Sequence, residues 1–134
     1  MREEREEVPA PIEAIGADIV DAALKVHRTF GPGLLEAAYE ACLVHELERR
    51  DHKVDRQLAL PVIYGDVRVD LGFRMDLVVD DAVVVEVKAV EQLLPVHEAQ
   101  LLAYLRFSSR RLGYLINFNV PLLKQGIRRR VLTH

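Results

Sequence analysis

Charged side chains interrupt an otherwise apolar stretch in the middle of the chain. Asp76 stands in an alternating segment, and Glu86 and Lys88 stand ten and twelve residues later in a run of valines. An ionised side chain in a buried segment is costly unless it is paired, hydrogen-bonded or bound to a metal. This cost makes Asp76, Glu86 and Lys88 the first candidates for chemistry.

Two carboxylates and an ammonium group on one face of a sheet would suit the hydrolysis of a phosphodiester. The carboxylates of Asp76 and Glu86 would form an anionic oxygen site for Mg²⁺ or Mn²⁺. The cation would polarise the phosphate and activate water, and Lys88 would orient that water or steady the phosphate. The same spacing also arises in exposed cross-strand ion pairs, so the pattern alone leaves both interpretations open.

The catalytic interpretation sets a condition on the hairpin turn. Glu86 and Lys88 are two residues apart on a strand, so they share a face. A two-residue turn at 80–81 would pair Asp76 with Val85 and turn Glu86 to the other face. The hypothesis therefore requires a three-residue or five-residue loop, or a bulge.

A helix further along the chain carries a second polar group. Gln100 and Tyr104 are four residues apart, and His97 is three residues before Gln100, so the three share one helical face. That face could line the same cleft and hold a phosphate or a base. Tyr104 could equally be a core aromatic with a satisfied hydroxyl.

The elements that must position these residues follow from periodicity and from Gly and Pro. Residues 1–11 are predicted to be a flexible acidic tail, and residues 12–134 a single α/β domain in which a mixed central sheet is flanked by helices. Pro61 predicts an edge strand or a bulge, and residues 67–79 alternate as a strand with one apolar face. The predicted elements are helices at 12–30, 35–51 and 95–107, strands at 54–64, 67–79, 82–90 and 112–120, and a weaker strand at 127–132.

Composition excludes several classes of protein. The single cysteine, Cys42, excludes a disulfide framework and any four-cysteine zinc or iron–sulfur site within one chain. The sequence contains no apolar run of about eighteen residues and no secretory signal, so the expected location is the cytoplasm, without a membrane partner. Residues 106–134 contain seven Lys or Arg and no Asp or Glu. This basic quarter is either a phosphate-facing edge or a set of internal ion pairs.

In order and spacing, Asp76, Glu86-x-Lys88 and Gln100-x-x-x-Tyr104 resemble the motifs of the PD-(D/E)XK nucleases, most closely the RecB-like branch. The heptad Gly33-Leu-Leu-Glu36-Ala-Ala-Tyr39, together with residues 95–100 and 116–121, is similar to the conserved blocks of the small GxxExxY protein family. The resemblance covers about 12–132. One departure is Met75, at the place where the superfamily's name has Pro.

The resemblance implies an αβββαβ nuclease core and assigns roles within it. Asp76 and Glu86 would be metal ligands and Lys88 the catalytic lysine. Glu36 would be a further metal-binding carboxylate, although a Glu in the first turn of a helix is favoured by the helix dipole in any case. Gln100 and Tyr104, with His97 on the same helical face, would support the site or contact DNA.

The expected function is that of a metal-dependent nuclease acting on nucleic acid, with DNA as the expected substrate and Mg²⁺ or Mn²⁺ as the cofactor. The alternative is a catalytically silent module that retains this fold to bind nucleic acid or protein. The chain has few aromatic residues for stacking on bases and no separate recognition domain. A homodimer or a partner protein could supply the missing surface.

Overall fold

The protein is described by a computed structural model that covers residues 8–133. Its elements follow the predicted order, including the weaker last strand, and the predicted α/β fold class is confirmed. The elements are α1 (Ala10–Phe30), α2 (Glu36–Arg49), β1 (Val54–Tyr64), β2 (Val67–Val79), β3 (Val83–Lys88), α3 (Pro95–Ser108), β4 (Leu112–Asn117), a 3₁₀ helix (Leu123–Gly126) and β5 (Ile127–Val131). Among these described elements, no helix is long and apolar enough to cross a membrane.

The five strands form one mixed sheet in the order β1-β2-β3-β4-β5. Only β3 and β4 run parallel, because α3 connects them as a crossover, and all other neighbours are antiparallel. Helices α1 and α2 cover one face of the sheet and α3 covers the other. The valines of β3 are therefore buried on both faces, as their continuous apolar run predicted.

The folded part begins earlier than the apolar periodicity indicated. Residues 1–7 of the predicted tail lie outside the described residues. Val8, however, is 3% exposed and packs into the core, and α1 begins at Ala10. Pro11 is compatible with this start, because the first turn of a helix does not need its N–H.

Strand β2 does not present one apolar face along its whole length, so that prediction is wrong. Leu77 and Val79 pack with α1 and α2, whereas Phe73 and Met75 pack on the α3 side. The change of face occurs at Asp76, opposite Gln57, whose φ is 51°. A left-handed residue in a strand rotates the pleat, and a period-2 pattern in one strand contains no sign of it.

Beyond this rotation, β1 and β2 continue as a two-stranded arm, because the ladder between β2 and β3 ends at Leu77 and Val85. The outer end of the arm is open to solvent, with Tyr64 80% exposed and Val67 53% exposed. The predicted burial of the apolar residues is therefore wrong at this end of β2. Helix α3 covers only the inner part of the arm.

Pro61 marks both an edge strand and a bulge, which confirms its predicted role. Strand β1 is the edge of the sheet, and its register with β2 shifts between Leu60 and Val62. The extra residues are in β2, where 70–72 lie opposite Pro61 alone, and a Cβ atom on Gly72 would come within 2.9 Å of the Leu60 carbonyl oxygen. The bulge therefore requires glycine at position 72.

Candidate active site

The turn between β2 and β3 meets the condition that the sequence set. Val79 pairs with Val83, so three residues, 80–82, form the loop. The same register places Asp76 opposite Glu86, as the catalytic interpretation requires. Because successive side chains alternate between the two faces of a sheet, this pairing brings both carboxylates to the same face.

The two carboxylates interlock with each other's backbone. The Asp76 N–H donates to Glu86 Oε2 at 2.9 Å, and the Val87 N–H donates to Asp76 Oδ2 at 2.9 Å. These bonds replace ladder bonds at the point where β2 separates from β3. One oxygen of each carboxylate is therefore held by an N–H of the neighbouring strand, and the opening between the strands is lined by acid groups.

Burial makes this pair electrostatically unfavourable without a cation. Glu86 is 3% exposed, and its burial together with the nearby charge of Asp76 raises the pKa of Glu86 to about 9. Burial and the charges of Glu86 and Asp76 also raise the pKa of Tyr104 to about 12. The Tyr104 hydroxyl therefore keeps its proton and lies close enough to the pair to feel its charge.

Lys88 and Glu36 complete the charged group. Lys88 ends β3 and is half-buried, and Glu36 is the first residue of α2. Partial burial raises the pKa of Glu36 despite the opposing charge of Lys88, and the charge of Asp76 raises it further. Glu36 thus lies within electrostatic range of both β-strand residues, although α2 packs on the opposite side of the sheet from α3.

The donor set fits a hard divalent cation. Mg²⁺ is usually held by one or two carboxylates and completes its shell with water and substrate phosphate oxygens. Among residues 8–133 no group of three or more His, Cys, Asp or Glu side chains is arranged to hold a metal ion. Asp76 and Glu86 are the two carboxylates of the candidate site, and a bound cation would oppose the burial and the Asp76 charge that raise the pKa of Glu86.

The helix residues are placed unequally. Tyr104 lies beside the carboxylates and packs edge-on to Phe73, with ring centroids 5.2 Å apart. Gln100 is half-buried one turn earlier on α3. His97 instead accepts the Leu94 N–H at Nδ1 (3.0 Å), so its ring caps the start of α3. No hydrogen bond joins His97 to the carboxylate pair within the described chain.

Two residues near the pair had not been singled out from the sequence. Gln57 Nε2 lies 3.3 Å from Asp76 Oδ1 and 3.3 Å from both carboxylate oxygens of Glu40. Glu40 is buried one turn after Glu36 on α2, and that i, i+4 spacing could have drawn attention to it. Nothing in the sequence around Gln57 indicated a role at the site, because its left-handed backbone conformation arises from the pairing of β1 with β2 in the arm.

The heptad 33–39 has a structural explanation. The Tyr39 hydroxyl donates to the Gly31 carbonyl at 2.6 Å and accepts the Leu34 N–H at 3.0 Å. Its ring is stacked on Phe118 at a centroid distance of 4.6 Å. Gly33, at φ 107°, adopts a conformation that favours glycine. Tyr39 therefore fixes the turn from which α2 starts, and with it the position of Glu36.

We expect Tyr39→Phe to lower the free energy of unfolding by about 1–2 kcal/mol, because the ring stack remains while two hydrogen bonds are lost. Urea denaturation monitored by circular dichroism would measure the change. Tyr64→Phe is the matched control, since Tyr64 is 80% exposed and its change should stay within about 0.5 kcal/mol. Equal effects of the two variants would contradict the anchoring role of Tyr39.

Asn117 fixes the segment that follows Lys88. Its side chain accepts the Val90 N–H at 3.0 Å and donates to the Val90 carbonyl at 2.9 Å. The next residue, Phe118, donates its N–H to the Lys88 carbonyl. These contacts end β4 at Asn117, three residues before the predicted end, and hold the backbone beside Lys88.

Three of the seven basic residues of the C-terminal quarter form ion pairs within the described part of the chain. Arg110 pairs with Asp81, and the side chains of Arg129 and Arg130 pair with acidic residues of α1 and α3. Internal ion pairing therefore accounts for these three arginines, and within residues 8–133 it does not account for Arg106, Arg111, Lys124 and Arg128. The expected phosphate-facing edge is not built from these three arginines.

Comparison with known proteins adds one finding on the family. The model of the PD-(D/E)XK nuclease superfamily matches residues 13–130, which is most of the chain. No curated protein matches significantly, and no solved structure does. The matched range contains every candidate residue described above.

Proposed function

The chain belongs to the PD-(D/E)XK nuclease superfamily, and on this premise we propose that it is a metal-dependent nuclease that cuts DNA. The single observation that carries the proposal is the interlocked pair of Asp76 and Glu86 at the separation of β2 and β3. A module that only binds has no need of a buried carboxylate whose pKa is raised to about 9.

Each charged residue of the candidate site has its own role in hydrolysis. Asp76 and Glu86 would hold a divalent cation, Mg²⁺ or Mn²⁺, and Glu36 would be a further carboxylate that reaches it directly or through water. When bound, the cation supplies charge stabilisation at the phosphate and lowers the pKa of a bound water. Lys88 orients the attacking water or steadies the phosphate from its fixed place at the end of β3.

The helix residues support this group. The Tyr104 hydroxyl stays protonated, because its pKa is raised to about 12, so it donates a hydrogen bond toward the carboxylates or the substrate. Gln100, one turn away on α3, contributes amide groups on the same side of the helix. His97 is engaged at the helix start and supports the site only through the position of α3.

The heptad supports placement in the GxxExxY family within this superfamily. Gly33 and Tyr39 shape the turn, and Glu36 stands between them at the candidate site. A cytoplasmic location agrees with the single free thiol of Cys42.

A second candidate function is a catalytically silent module that binds a partner or a second copy. The observation that favours it is the open end of the arm, where Ile63 is 61% exposed beside Tyr64 and Val67. Exposed apolar groups in a cluster are typical of interaction surfaces. A silent module would not cleave DNA, whereas a nuclease would.

The deciding experiment is cleavage of labelled single- and double-stranded DNA with Mg²⁺ or Mn²⁺. The wild type should cut, and Asp76→Ala should lower the rate by at least about 10³-fold, since a metal ligand is lost. Asp70→Ala is the matched control on the same strand, because its carboxylate is exposed and paired only with Arg68. Absence of cutting by the wild type would favour the silent module, and equal cutting by wild type and Asp76→Ala would indicate a contaminant.

A further inference from the structure

The turn that sets the pairing of Asp76 with Glu86 is itself strained. Asp80 and Asp81 have φ values of 52° and 57°, in the left-handed region that disfavours residues other than glycine. A two-residue turn of type I′ would also need positive φ at both residues, and it would shift the register by one residue. Backbone preference therefore does not choose between the two loop lengths, and contacts from outside the hairpin select the three-residue form.

Those contacts come from two other parts of the chain. Asp80 accepts the Lys53 N–H at 2.9 Å and lies 2.5 Å from His52 Nδ1. Asp81 accepts Arg110 Nη2 at 2.6 Å, and its carbonyl accepts Arg110 Nε at 3.2 Å. The turn is thus held from the start of β1 on one side and from the segment before β4 on the other.

His52 also bridges to α1. Its Nε2 lies 2.5 Å from Asp18 Oδ2, while Asp18 Oδ1 accepts Arg50 Nη1 at 2.6 Å. An ionised carboxylate can only accept hydrogen bonds, so both ring nitrogens of His52 must carry protons to satisfy Asp18 and Asp80 together. The geometry requires the imidazolium form.

We propose that the His52 imidazolium is a positioning residue for the candidate site: by tying Asp80 to Asp18 it holds the three-residue turn that brings Asp76 and Glu86 to one face. Its contacts touch neither carboxylate of the pair, so it acts only through the turn. The ion pairs around His52 join Asp18, Asp21, Lys25, Glu46, Arg50 and Asp80, and Lys53 and Asp55 form a further pair beside it.

The bridge has a defined range of pH. Burial by itself lowers the pKa of His52, but the hydrogen bonds to Asp80 and Asp18 outweigh burial and raise the pKa above its usual value. Burial raises the pKa of Asp18, but the bonds from His52 and Arg50 outweigh it and lower the pKa. A raised histidine pKa gives stabilisation that is present at lower pH and lost as pH rises through it. The bridge is therefore lost as the pH rises through the raised pKa of His52.

Two NMR measurements on the wild-type protein and on His52→Gln test the proposal. The ¹⁵N shifts of the His52 ring should show both nitrogens protonated at pH 6.5 and beyond. Hydrogen exchange at the Asp76 and Val87 amides, which report the interlock, should show about tenfold lower protection in His52→Gln at pH 6. That difference should vanish once the pH exceeds the pKa of His52. The wild type and His52→Gln are compared at the same pH, so the titration of Glu86 affects both proteins alike.

The controls separate positioning from general stability. A loss of stability alone would lower protection at the β3–β4 ladder, for example at Leu115 and Ile116, as much as at Asp76 and Val87. His45→Gln alters an exposed histidine of α2 and should change neither set. A neutral His52 ring at pH 6.5, or equal protection in wild type and His52→Gln, would overturn the proposal.

Only the expected effect on catalysis rests on the proposed function. If the protein is a nuclease, the kcat of the wild type should fall over the same pH range as the hydrogen-exchange protection of the Asp76 and Val87 amides. The exchange measurement decides the role of His52 even for a protein that does not cut DNA. Failure of cleavage with intact pH-dependent protection would count against the nuclease and for the positioning role.

Discussion

Replacement of Lys88 by alanine is expected to abolish cleavage, with a loss of at least about 10²–10³-fold in kcat, while the fold and metal binding remain largely intact. Lys88 stands at the end of β3, where its backbone carbonyl is already bound by the Phe118 N–H. Removal of the side chain therefore leaves the strand in place and removes only the fixed positive charge beside Glu86.

The measurement is single-turnover cleavage of labelled DNA, together with Mn²⁺ binding by electron paramagnetic resonance. Lys124→Ala is the matched control, because Lys124 is an exposed lysine on the 3₁₀ helix. Unchanged turnover in Lys88→Ala would remove Lys88 from the mechanism. Loss of Mn²⁺ binding together with turnover would instead assign it to the metal site.

The second large effect is a change in the free energy of unfolding on replacement of Glu86, and its sign depends on whether a divalent cation is present. In metal-free protein at pH 8, Glu86→Gln is expected to raise the free energy of unfolding by about 1–3 kcal/mol. Glutamine keeps an oxygen that can accept the Asp76 N–H. It also removes an acid that is ionised at pH 8 in the unfolded chain but is mainly protonated in the folded protein, because burial and Asp76 raise its folded pKa to about 9. A saturating divalent cation should reverse the order, since it stabilises the wild type by about 4.1 kcal/mol at a thousandfold excess over Kd.

The pH dependence follows from the raised pKa of Glu86. Its folded value is about 9 against an ordinary value of 4.5. Stability from such a group is fully present below the ordinary pKa and is lost as pH rises toward the folded one. The advantage of Glu86→Gln without metal should therefore grow from about pH 5 to pH 9.

Thermal or urea unfolding in EDTA and in excess Mg²⁺ would measure both effects. Glu48→Gln is the control, because Glu48 is an exposed glutamate on α2. If Glu86→Gln were less stable than the wild type in EDTA at pH 8, the ionised carboxylate would have to be stabilised by the protein itself. The candidate metal site would then lose its electrostatic argument.

The sequence by itself determined the kind and order of the elements and the positions of the charged residues within them. The valine run of β3 and the helical spacing of α1 and α2 come from local periodicity, so they can be read without knowledge of contacts. Glu86 and Lys88 stood out because their residue types conflict with the burial of that run. The parity condition on the turn could also be stated in advance, since it depends only on counting residues.

Only the tertiary structure decided how that condition is met. Gln57 has no local preference for its left-handed conformation, and although the turn at Asp80 and Asp81 was predicted, its length of three residues was not. The contacts that accompany them, from Glu40 to Gln57 and from His52 to Asp80, join residues far apart in the chain. Residue type and period fix what each segment tends to form, whereas strained turns, face changes and raised pKa values exist only where distant segments meet.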